Sequence, residues 1–337
     1  MKKFSCSCGQ TVFFENTQCY ACGSILAYDF EKDTMRALTQ PEVGVYQSRD
    51  KKQYKLCKNY EQFGVCNVCV IHDSPSEWCV ACRLNQTIPN LDNPENIQYW
   101  KKLELAKRRL IRTLLSLNLP LESMVNQQEC RLRFAFLEDQ RRNPDVPNEF
   151  VYTGHNHGLI TVNLDEADDV SREQVKVTTG ENYRTPLGHL RHESGHYYFD
   201  VLLANSQLLD GFRMLFGDES VDYKQSLDNY YSHKQYQQWQ NDFISRYAQA
   251  HPLEDWAECW AHYLHMHDTL ETARCQNIIE DISDNSLDES VADWSSLIVI
   301  MNELNRSMGL NDTYPFVLSD EVIRKLNFVH QVIDPTG

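Results

Sequence analysis

Apolar residues recur at helical spacing in several stretches of the chain. Asn93-Pro94 is a typical helix start, and the stretch that follows has one apolar face, formed by Trp100, Leu103, Leu110, Ile111, Leu114 and Leu115. Two more apolar stripes lie over about Asp288–Met308 and after the capping residue Ser319. The pattern predicts a connector helix over about 94–117 and two core helices near the end of the chain.

Between Leu132 and Val177 the pattern changes to that of strands. Arg133–Leu137 and Gly158–Leu164 are predicted strands, and a turn at His155-Asn156-His157 precedes the second. We therefore expect a small sheet over about 132–177, whose edge can bind an extended peptide by main-chain hydrogen bonds. Metal binding by the two turn histidines is an alternative, but their position is more typical of a surface turn.

Candidate chemistry lies in a predicted helix over about 186–204. Thr185 can cap this helix and Pro186 suits its first position. The helix contains His192-Glu193-Ser194-Gly195-His196, in which the two histidines project from one face and can bind one zinc ion. Glu193 can then reach a water on that metal. We interpret Gly195 as leaving room for a metal or a substrate.

The alternative is a solvated, histidine-rich helix face. The apolar and aromatic residues around the motif disfavour it.

A catalytic zinc needs a third protein ligand and an open position. A helix over about 252–267 carries Glu254 and Glu258, four residues apart on one face, where two carboxylates repel unless something positive lies between them. Zinc bound by Glu254, with Glu258 accepting the other N–H of a ligand histidine, would remove that conflict. The alternative is a solvated acidic first turn stabilised by the helix dipole.

Other residues compete for the third position. They are Glu258 itself, His262, and Glu219, which lies in a polar turn without an apolar frame. The Tyr-rich stretch from Gly217 to about Arg246 is a predicted helical lid or cleft wall with tyrosines at 223, 230, 231 and 236.

Nine of the twelve cysteines lie in the first 82 residues, mostly in close pairs. Such pairs in a chain without a secretion signal indicate metal sites rather than disulfides. The first four, with a predicted small β-hairpin over Thr11–Phe14 between the pairs, form a predicted four-thiolate zinc site: Cys6, Cys8, Cys19 and Cys22.

A second cluster offers five thiols to a four-coordinate ion. Using both CxxC pairs, Cys66/Cys69 and Cys79/Cys82, leaves Cys57 out, and spacing slightly favours this choice. The alternative set is Cys57, Cys66, Cys79 and Cys82, with Cys69 as a small buried residue. Neither small site is expected to support a large apolar core, so bound metal would supply much of the folding energy.

The 337-residue chain has a formal net charge of −16, which argues against a phosphate-binding surface and hence against nucleic acid. The lysines at 51, 52, 55 and 58 form only a modest basic run, typical of a solvated face. No apolar run approaches a membrane span, and the basic start at Met1 lacks the apolar region of a signal peptide. We therefore expect a cytoplasmic protein.

His-Glu-x-x-His followed at a distance by Glu-x-x-x-Glu resembles the gluzincin metallopeptidases, in which the first acid of the second motif binds zinc and the second orients a ligand histidine. The stretch Tyr247–Glu258 is similar to that of the anthrax lethal-factor type, where a tyrosine seven residues before the ligand glutamate stabilises the oxyanion. The resemblance gives this role to Tyr247. A core tyrosine is the alternative.

More closely, the chain resembles a bacterial family of zinc-binding metallopeptidases with N-terminal zinc ribbons. The resemblance covers Cys6–Cys82, Gly188–Asp200, Glu254–Leu264 and Asn305–Phe316. In that family's pattern an aromatic and an aliphatic residue follow the equivalent of Cys66, where this chain has Val68 and Cys69. The resemblance therefore favours the second set, with Cys57 as a ligand.

Together these observations predict an α+β protein with a zinc-ribbon region over 1–90 and a helix-rich, gluzincin-like metallopeptidase domain over 91–337. We expect one catalytic zinc on His192, His196 and Glu254 and two structural zincs. The expected function is hydrolysis of a protein or peptide, with Glu193 as proton acceptor, Tyr247 at the oxyanion and Glu258 orienting a histidine. The alternatives are a partner-binding zinc-ribbon module with an inactive peptidase domain, and hydrolysis of a non-peptide amide or ester.

Overall fold

The structure, a computed structural model, describes residues 2–125, 128–179, 184–232, 239–280 and 287–334. Within these ranges the fold is α+β, as the sequence predicts, with four small sheets and nine α-helices. None of the helices in the described ranges is long and apolar enough to cross a membrane.

The N-terminal part forms two antiparallel sheets. The first pairs β1 (Phe4–Ser5) with β2 (Thr11–Val12). The second runs in chain order through β3 (Ile25–Asp29), β4 (Thr34–Glu42), β5 (Val45–Ser48), β6 (Gln53–Leu56) and β7 (Cys69–Ile71). A short helix, α1 (Lys58–Phe63), lies between β6 and β7 and ends at Gly64, whose φ is 62°.

The five-stranded sheet of this region has a small apolar core of its own, apart from the two cysteine clusters. Alternate residues of the five-stranded sheet point to one face and form a buried cluster of Ala27, Leu38, Tyr46, Tyr54, Leu56 and Cys69. The predicted hairpin over Thr11–Phe14 is also shorter than expected, because strand β2 stops at Val12. Apolar burial therefore adds to whatever stability the metal sites supply.

The connector helix is present as α2 (Pro94–Ser116), after strand β8 (Asn85–Thr87). Asn93 caps it by accepting a hydrogen bond from the Glu95 N–H at 3.1 Å. Its buried face also carries charges that apolar spacing does not predict, among them Glu104 and Lys107, which form an ion pair of 2.6 Å without exposure to solvent.

The middle of the chain contains a hairpin and a mixed α/β segment. The hairpin pairs β9 (Glu122–Val125) with β10 (Gln128–Arg131). A four-stranded sheet has the order β12-β13-β11-β8, where β11 is Arg133–Leu137, β12 is Gly154–Asn156 and β13 is Leu159–Asn163. In this sheet β11 runs parallel to both β13 and β8.

The predicted sheet ends earlier than expected. The last strand stops at Asn163, and Asp169–Thr179 forms helix α3, whereas we predicted sheet up to about residue 177. Asp168 explains the difference, because its carboxylate accepts a hydrogen bond from the Val170 N–H at 3.0 Å and caps the helix.

The described residues from 184 onward form mainly helices. Helix α4 (Pro186–Tyr198) continues into a π-helical turn over Phe199–Leu203. It is followed by α5 (Leu209–Phe216), α6 (Tyr223–Ser232), α7 (Pro252–Cys275), α8 (Leu287–Ser307) and α9 (Asp320–Ile333). Helix α7 ends at Cys275, eight residues after its predicted end at about residue 267.

The chain divides into two compact units. The first comprises Met1–Asn118, Leu132–Gly154 and Leu159–Glu173, and the second comprises Leu119–Arg131, His155–Gly158 and Gln174–Gly337. Helix α2, which the sequence assigns to the peptidase domain, lies in the first unit. The second unit contains both helices that carry the candidate catalytic residues, α4 and α7.

Candidate metal centre

Helix α4 presents the two histidines of the first motif. Thr185 accepts a hydrogen bond from the Gly188 N–H at 3.0 Å and Pro186 is the first helical residue, as the sequence predicts. The rings of His192 and His196 lie side by side, with centroids 5.1 Å apart. The π-helical turn begins three residues after His196, and such turns are frequent at functional sites.

Helix α7 presents the carboxylates of the second motif. His251 caps it, because the Leu253 N–H donates to the His251 Nδ1 at 3.1 Å. Glu254 lies in the first turn, where the helix dipole stabilises negative charge. Two indoles join this helix to α4: Trp256 donates to the Gly195 carbonyl at 2.8 Å, and Trp260 donates to the Ser194 hydroxyl at 3.1 Å.

His192 lies between two carboxylates. Its Nε2 is 3.0 Å from Oε2 of Glu254, and its Nδ1 is 2.7 Å from Oε1 of Glu258. The Nε2 of His196 is 3.5 Å from Oε1 of Glu254. One potential ligand atom from each of His192, His196 and Glu254 lies within 4.8 Å of the other two. The structure thus brings together the three residues predicted to bind the catalytic metal.

The pKa shifts in this cluster favour a positive charge next to the two carboxylates. Burial lowers the pKa of His192, but its hydrogen bonds to Glu254 and Glu258 raise that pKa well above the ordinary value. Burial raises the pKa of Glu254, but the neighbouring His196 and His192 bring it well below the ordinary value. Burial also raises the pKa of Glu258, but its hydrogen bond to His192 and the charges of His192 and His262 together lower that pKa below the ordinary value.

These residues fit a zinc ion by the chemistry of their donor atoms. With Glu258 holding the Nδ1–H of His192, the Nε2 lone pair of the neutral ring faces a carboxylate oxygen of Glu254. Two acceptors that face each other at 3.0 Å need a proton or a metal cation between them. Two imidazoles and one carboxylate are also the protein ligands of a common type of catalytic zinc site.

Glu193 and Tyr247 lie beside this cluster. The Glu193 carboxylate is buried, and its Oε1 is 3.5 Å from Nε2 of His189, one helical turn earlier. Tyr247 lies in a short 3-10 turn (Tyr247–Ala250) before α7, with its ring 5.9 Å from that of His192. Burial, followed by the charge of Glu254, raises the pKa of Tyr247, so its hydroxyl stays a donor at neutral pH.

The other third-ligand candidates have different partners. Glu219 forms an ion pair with Arg213, with oxygen-to-nitrogen distances of 2.5 and 2.9 Å. His262 is buried against Tyr314, its Nδ1 2.7 Å from the tyrosine hydroxyl, and burial lowers its pKa to about 4. Glu258 contacts Nδ1 of His192, the nitrogen opposite to the one that faces Glu254.

Two residues that the sequence placed in other or less favoured roles lie at the site. His155 is a half-buried residue of β12 rather than a surface-turn residue, and its ring stacks on that of His196 with centroids 6.3 Å apart. Burial, with a smaller effect of His196, lowers the pKa of His155 to about 3. Tyr223, from the predicted lid, donates a hydrogen bond to Glu254. Tyr236, one of the four tyrosines named in the predicted lid or cleft wall, lies outside the described residues.

The interpretation of Gly195 is wrong. A Cβ on this glycine would come within 2.9 Å of the Ala257 Cα and 3.2 Å of the Trp260 Cβ. The glycine therefore makes room for helix α7, not for a metal or a substrate.

The cysteines form two four-thiol clusters. The first contains Cys6, Cys8, Cys19 and Cys22, and the second contains Cys57, Cys66, Cys79 and Cys82. In the second, the backbone N–H groups of Cys79 and Cys82 point at the sulfurs of Cys57 and Cys79, each at 3.4 Å. Cys69 lies instead on β7, and its sulfur is 3.5 Å from the Tyr28 carbonyl. The set that spacing slightly favours is therefore not the one that is assembled.

The matches to known families agree with these clusters. Residues 96–332 match the family described as "putative zinc-binding metallo-peptidase", and residues 3–93 match a zinc-ribbon domain. The chain belongs to this metallopeptidase family. The match confirms the family predicted from the sequence.

Close relatives share the whole length of the chain. One uncharacterized protein of Mycobacterium bovis and two of Mycobacterium tuberculosis strains are each 38% identical over 344 residues, covering 99% of this chain and 96% of the relative. No solved structure matches the chain. Membership of the family, together with the two four-cysteine clusters, makes this a zinc-binding protein.

Proposed function

We propose that the protein is a zinc-dependent peptidase that hydrolyses peptide bonds in a protein or peptide substrate. His192, His196 and Glu254 would hold the catalytic ion, and the two cysteine clusters would hold structural zinc. The observation that carries the proposal is the position of His192, whose two ring nitrogens face Glu254 and Glu258.

A zinc ion at this position would act as a Lewis acid on the scissile carbonyl and lower the pKa of a nearby water. Glu193 is suited to accept the proton of the attacking water on its carboxylate and to pass it to the leaving amine. Support comes from its burial beside His189 and from its place in the motif directly after His192.

Tyr247 and Glu258 would assist this reaction in different ways. The Tyr247 hydroxyl, protonated and close to the His192 ring, can donate a hydrogen bond to the developing oxyanion. Glu258 fixes the tautomer and orientation of His192 through its Nδ1–H. Each of these roles belongs to a side chain that the sequence motifs also single out.

We further propose a cytoplasmic location. Two clusters of four thiols, without disulfides among the twelve cysteines, suit a reducing compartment.

The decisive variant is Glu193→Gln, which keeps the size of the side chain and removes the proton acceptor. Its matched control is Glu42→Gln, which changes an exposed residue of β4. Both variants should bind as much zinc as the wild type, and only Glu193→Gln should lose hydrolysis. Peptide-library cleavage, with and without a hydroxamate inhibitor, measures activity, while comparison of protein N-termini in cells expressing each variant identifies substrates. Undiminished cleavage by Glu193→Gln would overturn the proposal.

A further inference from the structure

Tyr223, the first residue of α6, contacts the candidate metal ligand Glu254. Its phenolic oxygen is 2.5 Å from Oε1 of that carboxylate. Since the carboxylate can only accept, the tyrosine hydroxyl donates this hydrogen bond. Glu254 is fully buried whereas Tyr223 is 43% exposed, so the tyrosine lies on the solvent side of the carboxylate.

The residue that caps α7 also fixes Tyr223. The His251 Nδ1 accepts from the Leu253 N–H, which leaves its Nε2–H to donate to the Val221 carbonyl at 3.1 Å. The His251 ring packs edge-on against Tyr223, with centroids 5.0 Å apart. The tyrosine is therefore held against the same helical turn that carries Glu254, and its position does not depend on α6 alone.

We propose that Tyr223 is a positioning residue of the metal centre, which holds Glu254 as a one-oxygen ligand. The inference rests on the proposed function only in taking His192, His196 and Glu254 as the ligands.

The geometry gives the hydroxyl a specific effect. It donates to Oε1 of Glu254, which is 3.5 Å from Nε2 of His196, whereas Oε2 lies closer to a histidine nitrogen, 3.0 Å from Nε2 of His192. A carboxylate with one oxygen engaged in this way is biased against binding a metal through both oxygens, which leaves one more coordination position for water or substrate. Tyr223 itself is not expected to be a ligand, because its hydroxyl keeps its proton for Glu254.

The test is Tyr223→Phe, which removes one oxygen and keeps the ring that packs on His251. Tyr152→Phe is the control, because Tyr152 is 82% exposed in the other unit. Both are made in the Glu193→Gln chain, so that self-cleavage cannot affect the result. Competition with a chromophoric chelator measures the zinc dissociation constant, with the two cysteine sites as an internal reference.

We expect Tyr223→Phe to weaken binding of one zinc ion by about tenfold or more, the usual effect of losing a partner of a metal ligand. Cobalt introduced at that site should also absorb less strongly, because the released carboxylate can bind through both oxygens and raise the coordination number. Tyr152→Phe should change neither quantity. Zinc binding within about twofold of the control, with an unchanged cobalt spectrum, would overturn the proposal.

Activity separates this inference from the proposed function. With Glu193 restored, Tyr223→Phe should lower kcat and leave KM close to that of the wild type. If the wild type cleaves no peptide but Tyr223→Phe still weakens zinc binding, the peptidase proposal fails and the positioning role of Tyr223 stands.

Discussion

The backbone of Gly195 lies against that of Ala257, so close that a Cβ on the glycine would come within 2.9 Å of the alanine Cα. The glycine is one residue before His196, and the alanine is one residue before Glu258. This contact therefore sets the separation of α4 and α7 beside the candidate site. It thereby sets the distance between the histidines of α4 and the carboxylates of α7.

Replacing Gly195 with alanine tests this relationship. The added methyl group should push α7 away from α4, and we expect a loss of about 1–3 kcal/mol in the free energy of unfolding together with weaker zinc binding. Gly154→Ala is the control, since a Cβ at Gly154 would meet nothing within 4 Å. Urea denaturation and zinc analysis measure both effects. Wild-type values for Gly195→Ala would contradict the close contact.

Local signals predicted the parts of the fold that depend on neighbouring residues. Asn93-Pro94, Thr185-Pro186 and Ser319 start helices in the structure as the sequence predicts. Capping and proline chemistry act within one turn, so they can be read without knowledge of the tertiary contacts.

The residues whose contacts at the site the sequence did not predict depend on the approach of distant segments. His155 and Tyr223 reach the site from a short strand and from a different helix, and no local pattern records that approach. Gly195 was misinterpreted for the same reason, because the helix that fills its space lies about 60 residues later in the chain. The paired acids Glu254 and Glu258 were found because their mutual repulsion is itself a local signal.

Cys57 and Cys69 are both buried, but only one of them belongs to the second cysteine cluster. Cys57 lies in the cluster, whereas Cys69 belongs to the core of the five-stranded sheet. Cys57→Ala should lose one zinc ion per chain. Cys69→Ala should keep all zinc, with a modest loss of stability from the smaller side chain. Native mass spectrometry of the two variants gives the metal count directly, and the reverse result would assign the site to the two CxxC pairs.

Glu258 should affect metal binding without being a ligand. Glu258→Gln keeps an acceptor for the Nδ1–H of His192 but removes the charge, so His192 becomes a poorer donor to a metal. We expect about 10- to 100-fold weaker zinc binding at one site. Glu219→Gln is the matched control and should bind zinc like the wild type, because Glu219 pairs with Arg213. Loss of a zinc ion from Glu219→Gln would make that residue the third ligand.

A buried ion pair fixes the first turn of α7 from the opposite side. The Lys325 ammonium is 2.6 Å from Oδ2 of Asp255, and neither side chain is more than 3% exposed. The same ammonium donates to the Asp242 carbonyl at 2.7 Å, so one lysine of α9 holds both α7 and the segment before it. Because Asp255 directly follows Glu254, this contact also fixes the backbone of the candidate zinc ligand.

Breaking the pair on one side should therefore be costly. Lys325→Met leaves the Asp255 carboxylate buried without its partner charge, and we expect the free energy of unfolding to fall by about 3–5 kcal/mol. Lys325→Met combined with Asp255→Leu removes both charges and should recover much of that loss, since apolar groups of similar size often replace a buried pair without penalty. Urea denaturation of the two variants decides the matter. A double variant less stable than Lys325→Met would mean that Asp255 stabilises the first turn of α7 without the lysine, through its position at the positive end of the helix.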